Sequence, residues 1–192
     1  LAAASIGQVH RAVTRDGRAV AVKVQYPGVD RAVAADLESS DLLFQVLGME
    51  EAERAAREVL TGRRERLVGG LGSGIEADTQ RLFTDRPRGP PGAHVLVVFD
   101  DLSTARVLTT ELVEGAPFSE VVDWPDDERQ LAAECLYRFA FGGIYQLHAF
   151  NGDPHPGNYI FHPGGRITFL DFGLCKRFSE QEVADFEDMI QA

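Results

Sequence analysis

Three polar residues in the last third of the chain have the types and spacing that phosphoryl transfer requires. Asp153 and Asn158 stand at the two ends of a D-x-x-x-x-N loop, and Asp171 opens a D-F-G after a short apolar run. Phosphoryl transfer depends on positioning and charge neutralisation more than on covalent chemistry by the protein. We therefore expect Asp153 to face the attacking hydroxyl or water. Asn158 and Asp171 are predicted to bind Mg²⁺, because hard cations prefer oxygen ligands.

The same residues allow a simpler interpretation as a tight turn. Asp, Pro, Gly and Asn are all common in turns, and a D-F-G tripeptide also occurs by chance. Two motifs in this order, with an apolar strand between them, are much less frequent by chance. The combination therefore favours a site for a magnesium nucleotide.

The N-terminal segment contains a hairpin pattern and one notable lysine. Asp16-Gly17 lies between two Val-rich alternating runs, which indicates a β-hairpin, and the second run carries Lys23 in V-A-V-K. A lysine inside the strand would suit contact with the α- and β-phosphates of a nucleotide. On its own, however, a strand lysine is more often a solvated surface residue.

An alanine-rich segment precedes this hairpin, where a kinase would have a glycine-rich phosphate loop. Ala3, Ala4 and Ser5 stand in this segment and are candidate phosphate-loop residues. Their side chains disfavour positive φ and hold the backbone farther from phosphates than glycine would. A nucleotide is therefore expected to sit differently here than in an ordinary protein kinase.

Five segments in order resemble the UbiB/AarF atypical kinase family. They are A-A-A-S-I-G-Q-V-H, V-A-V-K-V-Q-Y-P-G-V, L-T-T-E-L-V-E-G, N-G-D-P-H-P-G-N and F-L-D-F-G. Their joint occurrence, over roughly residues 1–46 and 99–178, is far more specific than any one motif. The resemblance implies a protein-kinase-like fold, an ATP and Mg²⁺ site, and a role in quinone or isoprenoid-lipid metabolism, often at membranes.

The resemblance implies an α+β, bilobal architecture. Residues 1–113 would form an N-lobe with an antiparallel sheet and helices, and residues 114–192 would form a mostly helical, incomplete C-lobe with the catalytic and metal-binding loops. Residues near 48–98 are rich in Arg, Gly and Pro and lack a clean hydrophobic period. We expect them to be a disordered insertion.

The resemblance also assigns three further nucleotide-site residues. Glu76 matches the acidic partner of Lys23 on the family's second helix, although the E-x-D acids that should precede it are missing. Glu111 and Val113, at the end of an alternating strand, would offer backbone groups to the adenine edge. The simpler alternatives are an exposed helix carboxylate for Glu76 and an edge strand without a ligand.

Composition limits the partners and the compartment. A net charge of −11 argues against a nucleic-acid-binding surface. The only two cysteines, Cys135 and Cys175, form neither a disulfide framework nor a zinc spacing, which favours a reducing compartment. The sequence contains no apolar run long enough to cross a bilayer and no N-terminal leader. We expect a cytoplasmic protein, peripheral at a membrane if further parts of a longer chain anchor it.

Two functions remain open from the sequence. The first is an ATP-binding atypical kinase or ATPase, with a nucleotide and a small lipid or quinone-pathway compound as partners. The second is a non-catalytic nucleotide-binding or partner-binding pseudokinase module, because the loop glycines and the E-x-D acids are missing. The chain opens without Met and ends soon after a helix begins, which suggests a fragment of a longer protein.

Overall fold

The computed structural model describes residues 2–4, 7–28, 72–84 and 92–191. The chain forms two compact units. The first comprises Leu1–Ile75 with Phe99–Thr109, and the second comprises Glu76–Val98 with Thr110–Ala192. The predicted division into lobes at residues 113 and 114 stays a prediction.

The described residues form nine strands, four α-helices and two single-turn 3₁₀ helices. The strands are β1 (Ala2–Ala4), β2 (Gly7–Val13), β3 (Ala19–Gln25), β4 (Ala93–Val95), β5 (Val107–Glu111), β6 (Ala149–Asn151), β7 (Tyr159–His162), β8 (Arg166–Phe169) and β9 (Cys175–Arg177). The α-helices are α1 (Gly72–Thr84), α2 (Phe118–Val121), α3 (Asp126–Leu147) and α4 (Glu180–Gln191), and the 3₁₀ turns are Asp100–Leu102 and Pro156–Asn158. None of the helices in these ranges is long and apolar enough to span a membrane.

Strands β1, β2 and β3 lie in the first unit, and they belong to a sheet of order β1-β2-β3-β5. Strands β1 to β3 pair antiparallel, and Val9 lies opposite Lys23. The predicted hairpin is confirmed at the Asp16-Gly17 turn. Gly17 has a φ of +89°, a left-handed conformation that glycine adopts without strain.

Helix α1 lies inside the stretch predicted to be a disordered insertion. Glu76, Gln80 and Phe83 are buried along one side of it, at the i, i+4, i+7 spacing of a helical face. The expectation of disorder is therefore corrected for 72–84, and for 92–98, which contains β4. Residues 48–71 and 85–91 lie outside the described residues.

The second unit is built around a three-stranded sheet of order β4-β8-β7 and helix α3. Strand β4 pairs parallel with β8, and β7 pairs antiparallel with β8. Phe139 of α3 stacks on Phe169 of β8 with ring centroids 3.6 Å apart. The strand and the helix that precede the two candidate loops thus share one hydrophobic core.

Candidate functional site

The loop that carries Asp153 begins at the end of β6 and closes on the 3₁₀ turn at Asn158. The Asn158 side-chain amide donates from Nδ2 to the backbone oxygen of Asp153 (3.1 Å) and to its carboxylate Oδ2 (3.0 Å). Both side chains are half-buried. The two ends of the D-x-x-x-x-N motif are therefore in direct contact, as the spacing predicted.

Asp171 lies in the adjoining loop, where a backbone N–H of the same loop binds its side chain. Its Oδ1 accepts the N–H of Gly173 at 2.8 Å. The neighbouring Phe172 is 1% exposed and packs against Phe83 of α1, with centroids 5.2 Å apart, and edge-on against Phe139 of α3. Burial of the phenyl ring anchors the D-F-G in the core, while Asp171 stays half-buried at the surface.

Backbone hydrogen bonds tie the two loops together at both ends. Leu170 donates its N–H to the carbonyl of Asn158 (3.0 Å), and Gly152 donates to Leu174 (2.9 Å). Strand β6 also pairs antiparallel with β9, with Asn151 opposite Cys175. A Cβ added at Gly152 would lie 2.9 Å from the Leu174 oxygen, so this approach requires glycine. The fold brings together Asp153, Asn158 and Asp171.

The donor set of these two loops fits Mg²⁺. Asn158 uses both N–H groups of its amide on Asp153, so its carbonyl Oδ1 is the atom that a cation could take. Within the described residues, no group of three or more His, Cys, Asp or Glu side chains could hold a metal alone. One carboxylate, of Asp171, and one amide oxygen, of Asn158, suit Mg²⁺, because this ion usually keeps water and substrate phosphate oxygens as its other ligands.

Tyr159, the residue after Asn158, has a hydroxyl whose pKa is raised. Burial raises the pKa of the Tyr159 hydroxyl, and the negative charge of the Asp153 carboxylate raises it further. The ring packs edge-on against Phe161 and Phe169. Tyr159 therefore remains neutral at physiological pH and supports β7 from the core side.

The candidate nucleotide residues of the first unit occupy its sheet. Ala3 and Ala4 belong to β1 and pair with β2, whereas Ser5 lies outside the described residues. Lys23 belongs to β3 and is half-buried, so it is not a fully solvated surface lysine. The strand predicted for Lys23 is present, whereas Ala3 and Ala4, which were predicted in a phosphate loop, form a strand.

The second unit contains the other three candidate nucleotide residues, which are Glu76, Glu111 and Val113. Glu76 is 2% exposed, which excludes the alternative of an exposed helix carboxylate. The N–H of Glu111 already donates to Val97 (3.0 Å), and its side chain binds the Val97 N–H (2.8 Å) and His94 (2.9 Å). The Glu111 N–H therefore has a protein partner, and the prediction that Glu111 and Val113 offer backbone groups to adenine stays a prediction. Val113 follows the end of β5.

Sequence reasoning missed Asn151. Its side-chain Nδ2 donates to the backbone oxygen of Asp171 (2.7 Å), and its Oδ1 accepts the N–H of Asp153 (3.2 Å). The available signal was an Asn two residues before a candidate catalytic Asp, since Asn side chains commonly bond the backbone two residues on. The contact with Asp171, twenty residues away, has no local signal.

Known proteins match the whole chain. The profile of the ABC1 atypical kinase-like domain matches residues 1–192. Among curated relatives, the chain is 32% identical over 196 residues to Caenorhabditis elegans "Atypical kinase coq-8, mitochondrial", covering 100% of this chain and 26% of that protein. It is 30% identical to rat "Atypical kinase COQ8B, mitochondrial", covering 100% of this chain and 36% of the relative. The chain thus spans about a quarter to a third of these relatives.

A solved structure has a similar fold. It is a Mycobacterium tuberculosis protein, described as the complex of Rv3197 with erythromycin, with a TM-score of 0.67 and 32% identity. The alignment covers 93% of this chain and 45% of that one. The predicted α+β kinase-like fold and the predicted UbiB/AarF-type membership are confirmed by these matches. This chain belongs to the ABC1 atypical kinase-like domain family, whose relatives include the COQ8 atypical kinases.

Proposed function

We propose that this domain binds Mg-ATP and transfers its γ-phosphoryl group to a small acceptor or to water. The observation that carries the proposal is the constellation of Asp153, Asn158 and Asp171, held by hydrogen bonds between two loops that share one core. This constellation offers an amide oxygen and a carboxylate for the metal and, among the described residues, one oxygen of Asp153 without a hydrogen-bond donor. Membership of an atypical kinase family supports it.

Asp153 would orient the nucleophile and receive its proton. Its Oδ2 accepts from Asn158, and among the described residues its Oδ1 has no hydrogen-bond donor. As the acceptor oxygen bonds to the γ-phosphorus, the bond to the β-phosphate oxygen breaks and ADP leaves. The acceptor's proton passes to Asp153, or to solvent if Asp153 only orients it.

Asn158 and Asp171 would hold the metal. Bound Mg²⁺ supplies charge neutralisation at the phosphate oxygens. The loop contacts fix Asp171 through Gly173 and Phe172, so its carboxylate does not have to be ordered when the nucleotide binds.

The remaining nucleotide contacts are proposed from the resemblance to the kinase family. Lys23 would bind the α- and β-phosphates with Glu76 as its acidic partner, and Ala3, Ala4 and Ser5 would cover the phosphates. The adenine edge would meet the Glu111 carbonyl and the Val113 N–H, because the Glu111 N–H is engaged with Val97.

The acceptor and location are proposed from the relatives. Several are named COQ8 atypical kinases and mitochondrial proteins. We propose a small lipid or quinone-pathway compound as the partner, no nucleic acid, and a soluble or peripheral location at a membrane.

The test is ADP production by the intact protein at varied Mg²⁺. Wild type is expected to turn over ATP only with Mg²⁺, and Asp171→Asn is expected to lose most of this Mg-dependent turnover. Lys23→Ala should weaken both nucleotide binding and turnover. Asp188→Asn, the same chemical change on the exposed face of α4, is the matched control and should behave as wild type.

Each outcome has a distinct meaning. If wild type binds ATP in a Mg-dependent way but shows no turnover, the enzyme proposal is wrong and the non-catalytic pseudokinase alternative is favoured. Turnover that is equal with and without Mg²⁺, or unchanged in Asp171→Asn, would contradict the proposed metal site.

A further inference from the structure

The side chain of Asn151 joins the two candidate catalytic loops. Its Oδ1 accepts the backbone N–H of Asp153 (3.2 Å), and its Nδ2 donates to the backbone carbonyl of Asp171 (2.7 Å). We propose that Asn151 is a positioning residue that fixes the distance and orientation of Asp153 relative to Asp171 during phosphoryl transfer. This inference rests on the proposed function.

An amide is well matched to this task. One contact requires an acceptor facing an N–H, and the other requires a donor facing a carbonyl oxygen. A carboxylate of the same shape would keep the first contact. It would place a negative oxygen against the Asp171 carbonyl in the second. An alkyl side chain would lose both contacts and leave a half-buried N–H and carbonyl without these partners.

The backbone around Asn151 is held independently of its side chain. Strand β6 pairs with β9, with Asn151 opposite Cys175, and the next residue, Gly152, donates to Leu174 (2.9 Å). Leu170 also donates to Asn158 (3.0 Å). These bonds keep the loops together when the side chain is changed, so an effect on positioning can be separated from an effect on folding.

The contacts predict a defect in the rate of chemistry rather than in nucleotide affinity. Asn151 bonds the backbone of both aspartates, one through its amide nitrogen and the other through its amide oxygen. Loss of the Asn151 side chain allows Asp153 and Asp171 to shift relative to each other. Misplacement of reacting groups by about 1 Å can lower a rate by about 100-fold.

The experiment compares Asn151→Ala and Asn151→Asp with wild type in the intact protein, with Mg-ATP as the probe. We expect kcat for ATP turnover to fall by about 10- to 100-fold in both variants, with the KM for ATP within about threefold of wild type. In Asn151→Asp, half-saturation by Mg²⁺ should also rise, because the Asp171 contact is the one lost. Gln181→Ala, which removes an exposed amide bonded to Asp185 on α4, is the control and should keep the wild-type kcat.

The outcomes separate this inference from the proposed function. A wild-type kcat in both Asn151 variants, with Mg-dependent turnover in wild type, overturns the positioning role and leaves the proposed function intact. A second result would also overturn it. If Asn151→Ala loses thermal stability together with kcat, while the isosteric Asn151→Asp is fully active, Asn151 serves folding alone. Failure of wild type to bind Mg-ATP overturns the proposed function and this inference with it.

Discussion

Two loops of this protein are rich in the same turn-forming residues, but they use their carboxylates differently. In the hairpin turn of the first unit, Asp16 accepts from the Thr14 hydroxyl and from Arg18 Nε (2.9 Å), so both of its oxygens have local donors. In the loop that carries Asp153, this carboxylate accepts from one side chain among the described residues, that of Asn158. Both oxygens of Asp16 are used within its turn, whereas one oxygen of Asp153 remains for the reactant that we propose.

The largest expected difference between these loops concerns turnover. Asp153→Asn should keep the loop geometry and nucleotide binding but lower the rate of ATP turnover by roughly two to four orders of magnitude, the usual contribution of a positioned base. Asp16→Asn should leave the rate unchanged. Initial rates of ADP release measure both. Equal rates for wild type and Asp153→Asn would make Asp153 a turn residue like Asp16.

Each loop contains a glycine, and the two glycines are required for different reasons. Gly17 allows a left-handed backbone conformation, and Gly152 allows a close approach of two strands. Gly17 has a φ of +89° and open space around it, so Gly17→Ala should destabilise the protein by about 1–2 kcal/mol without changing turnover. Gly152→Ala places a Cβ 2.9 Å from the Leu174 oxygen, with an expected cost of about 1–3 kcal/mol.

Thermal unfolding and ADP release, measured on the same samples, check this pair. Gly152→Ala should lower turnover as well as stability, because it separates β6 from β9 next to Asp153. A Gly152→Ala variant with full activity would show that the site tolerates a shift of this strand pair.

The smallest expected effect concerns pH. The Thr14 hydroxyl, with Arg18 as a further contributor, lowers the pKa of Asp16 below its ordinary value of 3.8. A lowered folded-state pKa stabilises the folded state above 3.8, and this stabilisation is lost as pH falls through the folded value. Thr14→Val should therefore flatten the acid limb of the stability curve below about pH 4. An unchanged acid limb would mean that the Thr14 contact has no net effect.

The sequence predicted the parts of the fold that local patterns determine. The Asp16-Gly17 hairpin, the start of α3 at Asp126 and the two loop motifs follow from turn chemistry and spacing within a few residues. Contact between Asp153 and Asn158 also follows from a short loop. Each of these features needs no information from distant segments.

The features that were missed depend on contacts between distant segments. The composition of the region around helix α1 predicted disorder, although the resemblance places Glu76 on a helix. Phe83 of α1 packs against Phe139 and Phe172, and these contacts with distant residues have no local signal. The parallel pairing of β4 with β8 joins segments more than seventy residues apart.

The most direct test of the account is equilibrium binding of ATP to the intact protein, by calorimetry, with Mg²⁺ and with a chelator. If Asn158 and Asp171 bind the metal between the phosphates, wild type should bind ATP at least about tenfold more tightly with Mg²⁺, which is about 1.4 kcal/mol. Asp171→Asn should lose that gain. Affinity that is the same with and without Mg²⁺, and the same in Asp171→Asn, would contradict the magnesium–nucleotide site.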